Sequence, residues 1–128
     1  MRALTCNEFG PTKNLVLKDL EELEPGDGEV LIDVKAAGVN FPDILTIEGK
    51  YQFKPILPFV PGGEVSGVVS KIGRGVTTRA VGDEVFATMQ IGGFAEQVIA
   101  SEYSTFLKGS LSFEQAAGFA ITYGTSYY

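Results

Sequence analysis

Short strand-like runs separated by turn-forming residues are the feature of this sequence that most constrains its fold. Within Glu29–Ala37, the apolar residues Val30, Ile32 and Val34 alternate with residues such as Asp33, which is the two-residue period of a β-strand. A Pro-Gly-Asp-Gly turn at residues 25–28 precedes this run, and the chain holds 16 glycines and 6 prolines. Runs of this kind at short intervals predict a β-barrel or β-sandwich rather than parallel strands separated by helices.

The other predicted elements follow from the same signals. One helix is predicted over Pro42–Glu48, with Gly49 as its C-cap, and a second begins at Ser112, whose hydroxyl can form a capping box with Gln115. The further strand candidates are apolar runs bounded by turn residues: Arg2–Glu8, Leu15–Asp19, Glu64–Ile72, Glu84–Thr88 and Phe94–Ala100. The sequence therefore predicts a mainly β fold with short helices.

The residue types that the chain lacks restrict its chemistry. Its 128 residues, 45% hydrophobic and 20% charged, suit one globular domain. They include no histidine and a single cysteine, Cys6. Catalysis by Ser-His-Asp or Cys-His groups, His-ligated zinc and an intramolecular disulfide are thus excluded within this chain. Cys6 lies in an apolar run, which favours a buried, unreactive thiol.

The charge pattern argues against two classes of partner. The net charge is −6 and no basic run is present, so nucleic acid and anionic membranes are poor candidates. No uncharged stretch reaches the roughly 20 apolar residues of a spanning helix, and the first residues lack the apolar region of a signal peptide. We expect a cytoplasmic protein.

An ordered series of motifs gives the sequence a specific resemblance. Asn40-Phe41-Pro42-Asp43 is followed by Pro58–Gly67, then by Val81–Val85, Gly92–Glu96 and Ser112–Ala117. In this order the motifs resemble the medium-chain dehydrogenase/reductase superfamily and, within it, the zinc-free quinone oxidoreductase branch. The resemblance implies a GroES-like, partly open β-barrel with short helices over residues 1–117.

The resemblance also implies a second domain outside this sequence. Residues 118–128 would begin the helix that connects to a Rossmann domain, and Tyr127 and Tyr128 close the chain without a C-cap or polar tail. No G-x-G-x-x-G fingerprint occurs in the sequence. We therefore expect the N-terminal part of a longer chain, with the main NADPH-binding domain absent from these 128 residues.

The departures from zinc-dependent relatives point to the chemistry. This sequence has Asn40 where those relatives have a zinc-binding cysteine and Gly63 where they have a histidine, and it lacks their four-cysteine lobe. We expect a metal-free site. Without a Lewis acid, a localised alkoxide would be poorly stabilised, whereas a quinone or conjugated enone spreads its negative charge.

Three residues correspond to the family's functional positions. Asn40 would be catalytic and would also contact the cofactor, Tyr51 would be catalytic, and Thr125 would contact the nicotinamide. Each has a structural alternative: Asn40 could only cap the helix that follows it, Tyr51 could only cover the barrel, and Thr125 could be an exposed helical residue. We also expect Glu64 to be a buried carboxylate that hydrogen-bonds a neighbouring loop.

The resemblance thus implies an NADPH-dependent enzyme that transfers hydride to a small-molecule quinone or enone. The 128-residue chain alone is expected to lack turnover and to form a homodimer through its C-terminal segment. Two other hypotheses remain open: a non-catalytic GroES-like binding module, and a non-catalytic family member that binds NADPH or lipid membranes like the synaptic-vesicle relatives.

Overall fold

Antiparallel strands form the framework of the fold in a computed structural model that describes residues 1–52 and 54–118. The strands are β1 (Arg2–Thr5), β2 (Val16–Asp19), β3 (Glu29–Gly38), β4 (Glu64–Ile72), β5 (Glu84–Thr88), β6 (Gln97–Ser101) and β7 (Thr105–Leu107). Helix α1 spans Phe41–Glu48, two 3₁₀ turns cover Thr12–Asn14 and Glu102–Ser104, and residues 113–118 are helical. Within the described ranges, no helix is long and apolar enough to cross a membrane.

The strands form two sheets, and the larger one stays open. Five strands are ordered β6-β3-β4-β5-β7, and β1 pairs with β2 in a separate two-stranded sheet. Isolated bridges join Ala3 to Ala95 and Cys6 to Phe59, and so attach the small sheet to loops of the large one. The fold is mainly β with a few short helices and no closed barrel, as the sequence predicted.

The core is built of small, branched side chains from the four strands β3 to β6. Val30 and Ile32 of β3 meet Val65 and Val69 of β4, and valines and alanines of β5 and β6 complete the cluster. These residues are at most 5% exposed. Branched side chains suit a pleated surface, so the strand residues that the sequence marked as apolar are also those that form the core.

A second apolar cluster packs α1 against the segment that follows β1 and against the loop around Phe59. Cys6, Ile47 and Phe59 are buried together, and Cys6 is 1% exposed. Burial raises the pKa of the Cys6 thiol. The burial of Cys6 confirms the expectation of a buried thiol. The packing of Ile47 holds α1 at its C-terminal end, whereas its N-terminal end carries polar groups.

Several predicted boundaries hold and others shift. The strands Glu64–Ile72 and Glu84–Thr88 match residue for residue, and Gly49 ends α1 in the left-handed conformation with φ 75°. The prediction was wrong in extending the first strand to Glu8, because the chain leaves the sheet at Thr5 to pack Cys6 against α1. The sixth strand begins at Gln97, not at Phe94.

The last strand and the helix after it close one edge of the large sheet. Strand β7 was missed in the sequence because it has only three residues, and the last two of them are exposed. The predicted capping box is present: the Gln115 N–H donates to the Ser112 hydroxyl at 3.1 Å, and the Ser112 N–H donates to Gln115 Oε1 at 2.9 Å. Ala116 then packs on Phe86 of β5.

A buried carboxylate anchors the turn that follows β4. Glu102 is 3% exposed, and its Oε1 accepts hydrogen bonds from the Thr78 hydroxyl at 2.7 Å and from the backbone N–H groups of Thr77 and Thr78. The bond from the Thr78 hydroxyl is the largest of the effects that lower the pKa of Glu102. This carboxylate is therefore stabilised as the charged form by its hydrogen bonds.

Gly67 stands where two strands approach too closely for a side chain. It pairs with Val34, next to an irregularity in the β3–β4 register. A Cβ atom at Gly67 would lie 2.1 Å from the carbonyl oxygen of Asp33, although Gly67 does not have a positive φ. The glycine is needed for space rather than for backbone conformation.

The substitution Gly67→Ala tests this assignment. We expect it to lower the free energy of unfolding by about 3 kcal/mol, because the backbone of β3 must move away. Gly75→Ala is the control: Gly75 has φ 82° but open space around it, so only conformational strain of about 1 kcal/mol is expected. Denaturant unfolding of both variants measures the difference, and equal losses would contradict the steric account.

Candidate functional site

The polar groups of the site lie where β3 ends and α1 begins. Asn40 is the N-cap residue of α1, with an extended backbone (φ −125°, ψ 161°), and Pro42 occupies the first turn, where its missing N–H costs nothing. Asn40 follows the C-terminal end of β3 by two residues and so lies beside the start of β4. The site is therefore positioned by the β3–β4 ladder and by the helix that follows.

Asn40 is bound through its side chain to Glu64. Its Nδ2 donates to Glu64 Oε1 at 2.6 Å, and Glu64 is 2% exposed. The expectation that Glu64 is a buried carboxylate bonded to a neighbouring loop is confirmed. Asn40 is thus both the cap residue of α1 and part of a buried polar group, so the two readings of this residue are not exclusive.

Asp43 is a second carboxylate of the same group. Its Oδ2 accepts the backbone N–H of Asn40 at 2.9 Å, which is the reciprocal half of a capping box. Burial raises the pKa of Asp43, and the nearby charge of Glu64 raises it further, while hydrogen bonds from the backbone N–H groups of Asn40 and Gly63 act in the opposite direction. Asp43 therefore connects the start of α1 to the start of β4.

Tyr51 lies across a small cavity from Asp43. The cavity has a volume of about 220 Å³, and its lining includes Asp43, Thr46, Tyr51, Gly63 and Met89. Tyr51 is 39% exposed, so its phenol remains accessible to solvent. The cavity is smaller than the roughly 300 Å³ at which most ligand pockets begin, and this domain by itself can enclose only a ring-sized group.

The structure links two of the three predicted site residues, Asn40 and Tyr51, through Asp43. Asn40 contacts Asp43, and Asp43 shares the cavity with Tyr51. Thr125 lies outside the described residues. Sequence reasoning placed Asp43 only in the first turn of a helix and missed its link to Gly63; the Asn-x-x-Asp spacing of a capping box was the available signal.

The residues at this place do not fit a zinc ion. Gly63 has no side chain to offer, and the amide of Asn40 is bonded to Glu64. Among residues 1–52 and 54–118, no group of three or more His, Cys, Asp or Glu side chains could hold a metal ion. Zinc sites in proteins use three or four such ligands, so a metal-free site remains our prediction.

A larger groove elsewhere is less suited to chemistry. It has a volume of about 640 Å³ and is lined mainly by apolar residues such as Leu20, Ile56, Phe59 and Ile91. Among the residues that the structure describes, it shares none with the lining of the cavity at Tyr51. Because the carboxyl of Asp43 and Tyr51 line the smaller cavity, and Asp43 holds Asn40 beside it, the smaller cavity is the candidate functional site.

Comparisons with known proteins give this fold and site their class. The pattern of the alcohol dehydrogenase GroES-like domain matches residues 26–123. The chain therefore belongs to this family of GroES-like domains. Its relatives in sequence and structure include quinone oxidoreductases of the medium-chain dehydrogenase/reductase superfamily, as the motif series predicted.

Three relatives illustrate the similarity. The chain is 46% identical over 129 residues to quinone oxidoreductase-like protein 2 homolog of Nematostella vectensis, covering 98% of this chain and 35% of the relative. It matches the structure of human synaptic vesicle membrane protein VAT-1 homolog-like protein with TM-score 0.95 and 36% identity, over 99% and 41% of the two chains. The structure of Escherichia coli quinone oxidoreductase complexed with NADPH matches with TM-score 0.87 and 28% identity, over 91% and 36%.

These relatives are much longer than the chain. It spans between 35% and 41% of their length. The activity of these longer proteins is therefore assigned to this domain only as a proposal.

The raised pKa of Asp43 gives a testable pH dependence. Because the folded pKa lies above the ordinary value of 3.8, the contribution of Asp43 to stability is fully present below that value and is lost as pH rises through the folded pKa. We expect the free energy of unfolding of the native chain, relative to Asp43→Asn, to fall as pH rises from below 3.8 through the higher folded pKa of Asp43. Denaturant unfolding at several pH values measures this difference.

Glu102 supplies a control of opposite sign. Its folded pKa is lowered, first by the hydrogen bond from the Thr78 hydroxyl, so its contribution is present above the unfolded pKa and is lost as pH falls through the folded pKa. The stability of the native chain relative to Glu102→Gln should therefore rise with pH. The same sign of slope for both variants would contradict the assignment of Asp43.

Proposed function

We propose that this chain is the substrate-side domain of a zinc-independent, NADPH-dependent oxidoreductase that transfers hydride to a quinone or conjugated enone. The observation that supports this most is that Asp43, which lines a cavity together with Tyr51, also holds the backbone of Asn40, in a fold shared with quinone oxidoreductases. The cofactor would be held mainly by a second domain. This domain would supply the groups that orient the reacting rings.

The chemistry of the site residues fits a nicotinamide ring and its ribose. Both are neutral and carry hydrogen-bonding groups, and Asn40 and Tyr51 offer a neutral amide and a phenol. When bound, NADPH supplies a hydride from C4 of its nicotinamide. Asn40 would orient the cofactor or the acceptor, and Tyr51 would donate a hydrogen bond at the mouth of the cavity. Such positioning is the main contribution that a protein makes to cofactor chemistry.

The two buried carboxylates bear on which acceptor is suitable. Asp43 is 6% exposed and Glu64 is 2% exposed, so both lie in a medium that screens charge weakly. A localised alkoxide beside them would be repelled. A quinone or enone spreads its developing charge over a conjugated system. A conjugated acceptor therefore suits this site better than a simple ketone does.

A second candidate function has one observation in its favour. The match to human synaptic vesicle membrane protein VAT-1 homolog-like protein has a TM-score of 0.95. A non-catalytic binding role would be compatible with that similarity. Under this alternative, NADPH would still bind to the complete protein, but a panel of quinones and enones would not be reduced.

Asn40→Ala in the complete protein that carries this domain tests the proposed function. If the amide orients cofactor or acceptor, kcat/KM should fall by roughly 10- to 100-fold, because a contact of about 1.4–2.7 kcal/mol is lost in the transition state. If Asn40 is only a helix cap, the free energy of unfolding should fall by about 1 kcal/mol with unchanged kinetics. Steady-state kinetics and unfolding on the same variant decide between the two.

Asn7 provides the matched control for this substitution. It is an exposed asparagine whose Oδ1 accepts a hydrogen bond from Lys18 at the surface. Asn7→Ala should leave both kcat/KM and stability close to those of the native protein. Association through the C-terminal segment and a cytoplasmic location stay predictions.

A further inference from the structure

Glu64 is a buried acid beside the proposed reaction site that hydride transfer does not use directly. It begins β4, where it pairs with Gly38 of β3 and Thr88 of β5. A carboxylate that is only 2% exposed costs free energy unless hydrogen bonds compensate its lost hydration. Its Oε1 accepts a hydrogen bond from Asn40 Nδ2 at 2.6 Å. The acid is therefore bonded directly to the candidate catalytic amide.

The absence of a side chain at Gly38 leaves the space that the Glu64 carboxylate occupies. A Cβ atom at Gly38 would lie 1.9 Å from Glu64 Oε1 and 2.5 Å from its Cδ. Gly38 has no positive φ, so its backbone conformation would admit other residues, and the three atoms nearest to such a Cβ all belong to the Glu64 side chain. The glycine two residues before Asn40 is therefore explained by the position of Glu64.

The hydrogen-bonding chemistry of the pair fixes the amide in one orientation. A carboxylate accepts hydrogen bonds and does not donate them, whereas an amide has one donor end and one acceptor end. The NH₂ end of Asn40 must then face Glu64, and Oδ1 must face away from it. Asp43 holds the backbone of the same residue through its N–H at 2.9 Å.

We propose that Glu64 is a positioning residue that holds the Asn40 amide with its carbonyl oxygen turned away from the acid, where it can accept a hydrogen bond from a bound ligand. The proposal rests on the proposed function for the part that concerns the reaction. The ligand group that suits Oδ1 is a donor, such as the carboxamide NH₂ of a nicotinamide or a ribose hydroxyl. Without Glu64 the amide can turn over and present either end.

The first test uses the 128-residue chain labelled with ¹⁵N. The two Nδ2 protons of Asn40, assigned by their disappearance in Asn40→Asp, should differ in exchange rate by about tenfold, because one of them is hydrogen-bonded. Glu64→Ala should abolish that difference. Glu102→Gln, which changes a comparably buried carboxylate in another part of the fold, should leave the Asn40 signals unchanged.

The second test is a double-mutant cycle on kcat/KM in the complete protein. Glu64→Ala alone should lower kcat/KM about tenfold, the effect of one lost orienting contact. The double variant with Asn40→Ala should lie within about twofold of Asn40→Ala, since Glu64 acts only through that amide. Glu64→Gln retains an acceptor oxygen and should recover part of the loss.

The outcomes separate this proposal from the proposed function. Multiplicative kinetic effects of Glu64→Ala and Asn40→Ala, or Asn40 amide signals that do not respond to Glu64, would overturn the positioning role. Should Glu64→Ala fail to fold, Gly38→Ala, whose Cβ would displace the Glu64 carboxylate, takes its place in both measurements, with the amide signals again expected to change. Amide signals that depend on Glu64 while Asn40→Ala leaves kinetics unaltered would support the positioning role and reject the catalytic role of Asn40.

Discussion

The pairing of β3 with β4 is the interaction on which the rest of the domain depends. It supplies the centre of the five-stranded sheet and buries Val30, Ile32, Val65 and Val69 at the core. Its last pair joins Gly38 to Glu64. The same ladder that stabilises the fold therefore ends at the buried acid of the site, and the position of the polar groups is set by backbone hydrogen bonds rather than by a flexible loop.

Packing and electrostatics act at opposite ends of α1. At its C-terminal end Ile47 is buried with Cys6 and Phe59, and this apolar cluster fixes the direction of the helix. At its N-terminal end Asp43 accepts the Asn40 N–H, which places a carboxylate where the helix dipole favours negative charge. The helix is only eight residues long, so its order depends on these two attachments more than on intrinsic helix stability.

The ligand chemistry of the residues around the two buried carboxylates distinguishes this site from a zinc centre. In a zinc site the ion's charge compensates nearby acids. Here Asp43 and Glu64 are compensated by hydrogen bonds from the backbone N–H groups of Asn40 and Gly63 and from the Asn40 amide. A site of this kind suits neutral ligands and diffuse charge, and this is the physical argument for proposing a conjugated acceptor.

The sequence by itself determined the strand-rich class, most of the element positions and the family, because side-chain alternation, turn residues and motif order are local features. It also indicated Asn40 and Tyr51, and it anticipated that Glu64 is buried. Only the tertiary structure decided that Glu64 bonds the Asn40 amide and that Asp43 shares a cavity with Tyr51. Glu64 and Asn40 are 24 residues apart, and their contact arises from a strand register that no local pattern encodes.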